Sequence, residues 1–187
     1  GLAREAGRKI RSAAAATPAG RFPATQFAQR LRAVASLVRA DLGIRVYFTE
    51  LGGDGFGGFD NHANQKENRT ALLAQFSDGV GAFIDDLRRD GLVRRVLLMT
   101  VSEFGRTLGE NGRHGTGHGA AAPVFVAGGR IKGGLTGPHP DLRRLDNDAP
   151  PCHTDFPRVF ATVLRTWLGA NADAVLGAPF EPVDFLT

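Results

Sequence analysis

The chain predicts an α/β fold, a mostly parallel sheet flanked by helices, on three observations. Apolar runs rich in β-branched residues alternate with amphipathic segments. The runs are nearly continuous rather than alternating, as in strands covered on both faces. Glycine-rich, polar stretches follow them, where ligands gather beyond the carboxyl ends of strands in such sheets. At 187 residues the chain is long enough for one sizeable core and too short for two comfortable ones. It reads as a basic segment over 1–22 and one domain over 23–187.

Residues up to Pro23 are rich in Ala, Gly and Arg and show no clear periodicity. From Ala24, the positions Phe27, Leu31, Val34, Leu37 and Val38 recur at steps of three and four. That spacing predicts a helix with one buried stripe ending near Gly43, with Thr25 as its cap. Ile44–Leu51, IRVYFTEL, predicts a first strand. Leu72, Leu73, Phe76, Val80, Phe83, Ile84 and Leu87 predict a long helix, stopped at Asp90-Gly91. Val93–Val101 predicts a second strand and Pro123–Ala127 a third. A loop rich in Gly, Pro and charge runs to Pro151. Thr154 then opens a last helix, with Pro157 harmless in its first turn and Phe156, Phe160, Val163, Leu164 and Trp167 as its stripe.

Composition narrows the classes of function. Apolar residues at 42% and charged ones at 22% describe a globular chain rather than a disordered one. No apolar run approaches the roughly 20 residues of a membrane helix. The chain begins at Gly1 with no signal pattern, so an upstream portion of the protein is expected and the compartment is left open. The net charge of +4 is carried mainly by arginine, densest in REAGRKIR over Arg4–Arg11. No aromatic residues interleave with those arginines, which argues against a nucleic-acid partner. The single cysteine, Cys152, cannot form an intrachain disulfide. Its neighbour His153 does not make it a nucleophile, because adjacent side chains rarely face one another.

The chemistry-bearing groups are Asp60, His62, Glu103, His114 and His118. Imidazole nitrogen with carboxylate oxygen is the donor set of a divalent transition metal, which needs three or four ligands converging at about 2.0–2.2 Å. No single spacing is diagnostic. Placement carries the expectation: Asp60 and His62 follow the first predicted strand, Glu103 ends the second, and His114 and His118 enter the third. Each has a blander reading. Asp60 is then a helix cap, Glu103 a surface partner of Arg106, and the two histidines ordinary loop residues. GGDGFGG, Gly52–Gly58, lacks both the dinucleotide fingerprint and a Gly-Lys-Ser/Thr ending, so its glycines are expected to turn the backbone sharply. Ser102 lacks the nucleophile elbow of serine hydrolases.

Four ordered motifs add a resemblance. GGFDNHANQ at Gly57–Gln65, SEFGRT at Ser102–Thr107, EN..HGTGHG at Glu110–Gly119 and VAGGRIKGGLTG at Val126–Gly137 resemble the C-terminal half of the bacterial domain-of-unknown-function family 1501. That family looks like a branch of the alkaline phosphatase and sulfatase superfamily. The resemblance implies an alkaline-phosphatase-like partial domain and a two-metal hydrolase of phosphate or sulfate esters, using Zn, Mn or Ca. Asp60, His62 and His118 match the first metal's ligands. At the second metal's strand end stand Glu103, which can ligate, and Phe104, which cannot. The nucleophile belongs to the expected upstream portion. Arg106 is then a fork of donors for the anionic ester. Relatives look exported and usually read HGTDHG, where this chain has Gly117. The resemblance therefore leaves a second expectation, a non-catalytic binding or assembly domain on the same scaffold.

Overall fold

The computed structural model describes residues 2–15, 20–52 and 58–187. It divides into two compact units, Gly1–Val96 with Gly112–Gly115, and Leu97–Asn111 with Thr116–Thr187.

The first unit is helical. α1 spans Leu2–Ala15, α2 Gln26–Arg39 and α3 Gln65–Arg89. α1 is an element that no apolar period announced. Its residues are mostly strong helix formers, and Glu5 pairs with Lys9 one turn on at 3.7 Å. α2 opens where the sequence predicts, with the Thr25 hydroxyl accepting from the Ala28 amide. Its stripe of Phe27, Ala28, Leu31 and Ala35 is buried, as are Leu72, Phe83 and Leu87 on α3. Close approach of the two helices is set at Gly79, where a Cβ would stand 3.0 Å from the Phe27 ring. Leu73, expected on the apolar face of α3, is 47% exposed.

A carboxylate is buried beside this apolar core. Asp86 is fully inaccessible, and its Oδ1 accepts from the Gly20 amide at 2.9 Å and from Arg89 Nη2 at 3.3 Å. Arg39 Nη2 stands 2.6 Å from Oδ2, out of line for a hydrogen bond, so that contact is an ion pair. Arg39 also pairs with Asp90 at 2.6 Å. Burial alone would lower the Arg39 pKa, but Asp86 and Asp90 outweigh it and the net shift is upward. α3 ends at Asp90, and Gly91, at φ +70°, turns the chain away.

Among the described residues, the strands lie in the second unit: β1 Leu97–Met99, β2 Gly105–Arg106, β3 His118–Gly119 and β4 Val126–Gly128. They form two antiparallel pairs, β1 with β4 and β2 with β3. The outer pair continues at Thr100, whose amide donates to the Phe125 carbonyl at 2.9 Å. Beyond it lie α4 Phe156–Thr162, a π-helical turn Val163–Trp167 and α5 Ala172–Leu176. Ala149, Ala161, Ala172, Phe185 and Leu186 are buried. Residues 130–132 bond to the chain's last residues through Lys132 N to Phe185 O and Thr187 N to Arg130 O, both 3.0 Å. Pro157 sits in the first turn of α4 as expected, but Phe156 is 64% exposed and lies off the buried stripe.

The mostly parallel sheet flanked by helices is therefore corrected. A parallel pair needs a crossover of a dozen or more residues, usually a helix. The chain between β1 and β4 contains none and folds back on itself instead. The predicted strand Val93–Val101 is shortened because Gly91 sends Leu92–Arg95 into a 3-10 turn, with Arg94 and Arg95 exposed. Pro123–Ala127 pairs only from Val126. Ile44–Leu51 is extended, but pairs with no strand among the described residues. Ile44, Val46 and Phe48 on one side of it are 45%, 69% and 89% exposed. Its β-branched composition is that of a strand, but composition does not supply a neighbour to accept its amides.

Among the described residues, no helix is long and apolar enough to cross a membrane.

Candidate metal centre

Asp60 and His62 lie between the glycine-rich stretch and α3. Residues 53–57 of that stretch lie outside the described residues. Its ends, Gly52 at φ +147° and Gly58 at φ +82°, come so close that a Cβ on Gly52 would stand 3.1 Å from the Gly58 Cα. The chain thus returns on itself just before Asp60. His62 Nε2 and Asp60 Oδ1 are 3.0 Å apart. Asp60 is not the helix cap of the blander reading: Asn64 holds that position in the left-handed region, at φ +46°.

The entry to α3 is tied by backbone rather than by a side-chain cap. The Asn64 amide donates to the Arg113 carbonyl at 3.0 Å, and the Gln65 amide to the His114 carbonyl at 2.9 Å. These bonds satisfy amides that a helix start leaves open. His114 adopts φ +59°, uncommon for a residue with a side chain. Gly115 is packed so closely that a Cβ would fall 2.1 Å from the His62 carbonyl oxygen. Residues 113–115 are thereby fixed to the backbone around His62 and the start of α3.

His118 opens β3, directly across from Arg106. Around it, the Thr107 amide donates to the Gly117 carbonyl at 3.1 Å, and the Gly117 amide to Thr107 Oγ1 at 2.8 Å. A Cβ at Gly117 would stand 3.3 Å from that hydroxyl, so an aspartate there would crowd Thr107. The imidazole of His118 stacks on Phe104, with ring centroids 3.7 Å apart and planes inclined by 9°.

One ligand atom each from Asp60, His62 and His118 falls within 4.8 Å of the other two. Two imidazoles and a carboxylate make a donor set suited to a divalent transition cation. Three ligands at about 2.1 Å from one ion in tetrahedral directions stand about 3.4 Å apart, so the 4.8 Å spread of this group is wider than that of a loaded site. His62 is half-buried, while Asp60 and His118 are exposed.

Glu103 and His114 are exposed and stand outside this group. The His114 backbone carbonyl accepts from the Gln65 amide. Arg106 donates from Nη1 to the Thr116 carbonyl at 3.0 Å, and its guanidinium lies over the Phe104 ring, 5.1 Å from the centroid. Sequence reasoning passed over Phe104, treating it only as a residue unable to ligate. It also passed over the backbone latch at Arg113 and His114, for which the glycine at 115 was the available signal. Cys152 is exposed and free.

The family model described as protein of unknown function, DUF1501, matches residues 4–176. Comparison with curated proteins and with solved structures finds no match. A match over most of the chain settles the relationship: the protein belongs to the DUF1501 family.

Proposed function

We propose that Asp60, His62 and His118 hold a divalent cation, and that the chain is the metal-binding part of a hydrolase acting on phosphate or sulfate esters. The observation that carries this reading is the convergence of three ligand atoms from distant points of the chain within 4.8 Å. The reaction type rests on a likeness of the DUF1501 family, to which the four motifs belong, to the alkaline phosphatase and sulfatase superfamily. A bound cation of this kind polarises an ester oxygen and stabilises the charge that develops on it. The residues do the positioning. Asp60 Oδ1 and His62 Nε2 stand side by side, 3.0 Å apart. Gly115 lets its own backbone approach that of His62. Arg106 supplies positive charge beside His118, with one of its donors already committed to Thr116.

A second reading has its own observations. Arg106 is tied to a carbonyl and a ring, and Gly117 supplies no carboxylate. Both fit a domain that keeps the site's framework for binding or assembly and performs no hydrolysis.

The first test is metal content. Purified protein is expected to carry or take up close to one equivalent of zinc or manganese, and a His62→Ala/His118→Ala variant is expected to lose it; equal content in both ends the metal reading. The second is turnover of aryl phosphates and aryl sulfates with zinc, manganese or calcium, using the chain with any natural upstream portion. Metal uptake without turnover of any ester selects the binding reading.

A further inference from the structure

We propose that the extended segment Ile44–Leu51 is a docking edge for the same segment of a second copy, paired antiparallel about a two-fold axis at Val46. Gly43, at φ +74°, turns the chain into this segment, which is pinned at both ends. Asp41 pairs with Arg95 at 2.6 Å, and the Glu50 carbonyl accepts from Arg30 Nη1 on α2 at 2.9 Å. Between those ends the backbone lacks a ladder: among the described residues, the amides of Val46, Tyr47 and Phe48 donate to nothing. Tyr47 and Thr49 are half-buried, while Ile44, Val46 and Phe48 on the other side are 45%, 69% and 89% exposed. A fixed, apolar edge with open amides is a template for another strand.

Charge and side-chain order single out the partner. Two copies side by side in the same direction would set Arg45 against Arg45 and Glu50 against Glu50, which destabilises a ladder. Antiparallel pairing avoids both. Because side chains alternate along a strand, an axis at Val46 keeps the exposed row of both copies on one face. Val46 then meets Val46, and Ile44 of each copy meets Phe48 of the other, a β-branched side chain against an aromatic one. Arg45 lies opposite Tyr47 rather than another arginine. The row of Ile44, Val46 and Phe48 is thus complementary to itself. It is also short. Three side chains and their backbone cover on the order of 800 Å² in total, below the roughly 1,200–2,000 Å² of a stable interface. The dimer is therefore weak and reversible, dissociating in the micromolar to millimolar range.

The test is sedimentation velocity of the full chain from micromolar to millimolar concentration, with a chelator present so that no metal bridges two copies. The sedimentation coefficient is expected to rise with concentration to that of a dimer and stop there. Val46→Lys, which sets two ammonium groups on the axis, is expected to stay monomeric with unchanged circular dichroism, since the side chain it replaces is exposed. Crosslinking reads the register: in a Cys152→Ser background, Val46→Cys is expected to oxidise to a covalent dimer, while Glu50→Cys stays monomeric. A monomer at every concentration overturns the proposal and leaves the edge to a strand of another protein. A dimer that persists in Val46→Lys overturns it too, as does growth beyond the dimer. Glu50→Cys crosslinking as readily as Val46→Cys overturns the register. Each readout is independent of metal content, so this proposal and the metal reading fail separately.

Discussion

The helical pair of the first unit and the nested strands of the second are held by different means. Between α2 and α3 the contacts are side chain on side chain, with Phe27, Leu31, Leu72, Phe83 and Leu87 all buried. Around β2 and β3 two glycines, Gly105 and Gly119, let backbone meet backbone. At Gly105 a Cβ would fall 1.7 Å from the Ala121 carbonyl oxygen, and at Gly119 one would fall 2.8 Å from both the Ala149 methyl and the Arg106 backbone. An apolar interface tolerates relaxation around a lost methyl group. A backbone contact held by glycine has no such latitude. Nature's choice here places the candidate ligand His118 on the part of the molecule that has least freedom to shift.

Five substitutions or measurements break or sharpen that contrast. Gly105→Ala has the largest expected effect, above about 4 kcal/mol, because the added methyl meets a carbonyl rather than a flexible side chain. Loss of dispersed amide signals across 97–128 is the readout, and a destabilisation under about 1 kcal/mol would show that the backbone yields after all. Leu87→Ala removes a side chain with no exposure and is expected to cost about 4 kcal/mol in urea unfolding. Asp86→Ala strips Arg39 of one of its two carboxylates and is expected to cost about 3 kcal/mol. The remaining Asp90 contact keeps that value at the low end, and a neutral result would mean that Arg39 reaches water freely. Thr25→Ala should cost about 1 kcal/mol through the lost cap bond to Ala28.

The smallest effect is spectroscopic. Tyr47, the only tyrosine, has its phenol pKa raised, first by burial and then by Asp41, with Arg95 opposing. A pKa above the ordinary value means that the fold favours the neutral phenol. The associated stability is complete below about pH 10 and is lost as pH rises through the folded pKa. Ultraviolet titration of the phenolate should therefore show a midpoint higher in folded than in urea-unfolded protein. Equal midpoints would mean that the extended segment leaves Tyr47 in water.

Helices α2 and α3 were legible because their period is local. Phe27 to Val38 and Leu72 to Leu87 carry their faces in spacing alone, and Thr25 and Gly91 mark ends through their own backbone chemistry. Strands were not, because a strand is defined by its neighbour. IRVYFTEL and VRRVLLMTV look alike as strings, but Leu97–Met99 found Val126–Gly128 and Ile44–Leu51 found no strand among the described residues. The direction of pairing was misread because it depends on whether residues 100–125 form a crossover helix. For the site, residue type sufficed to propose Asp60, His62 and His118. What spacing did not reveal was the reason the loop stays in place: two carbonyls, at Arg113 and His114, capping a helix from far along the chain.

The nesting of one strand pair inside another also dictates an order of assembly. Arg106 and Thr116, bonded in the inner turn, are 10 residues apart, whereas Thr100 and Phe125, at the edge of the outer pair, are 25 apart. Closing the longer loop unaided costs about 0.8 kcal/mol more in chain entropy, and closing the inner one first removes most of that excess. We expect the ladder to zip from the His118 end outward. Substitutions at Thr107 should then slow folding, while substitutions at Leu97 should mainly speed unfolding; the reverse pattern in stopped-flow kinetics would show that the outer strands meet first.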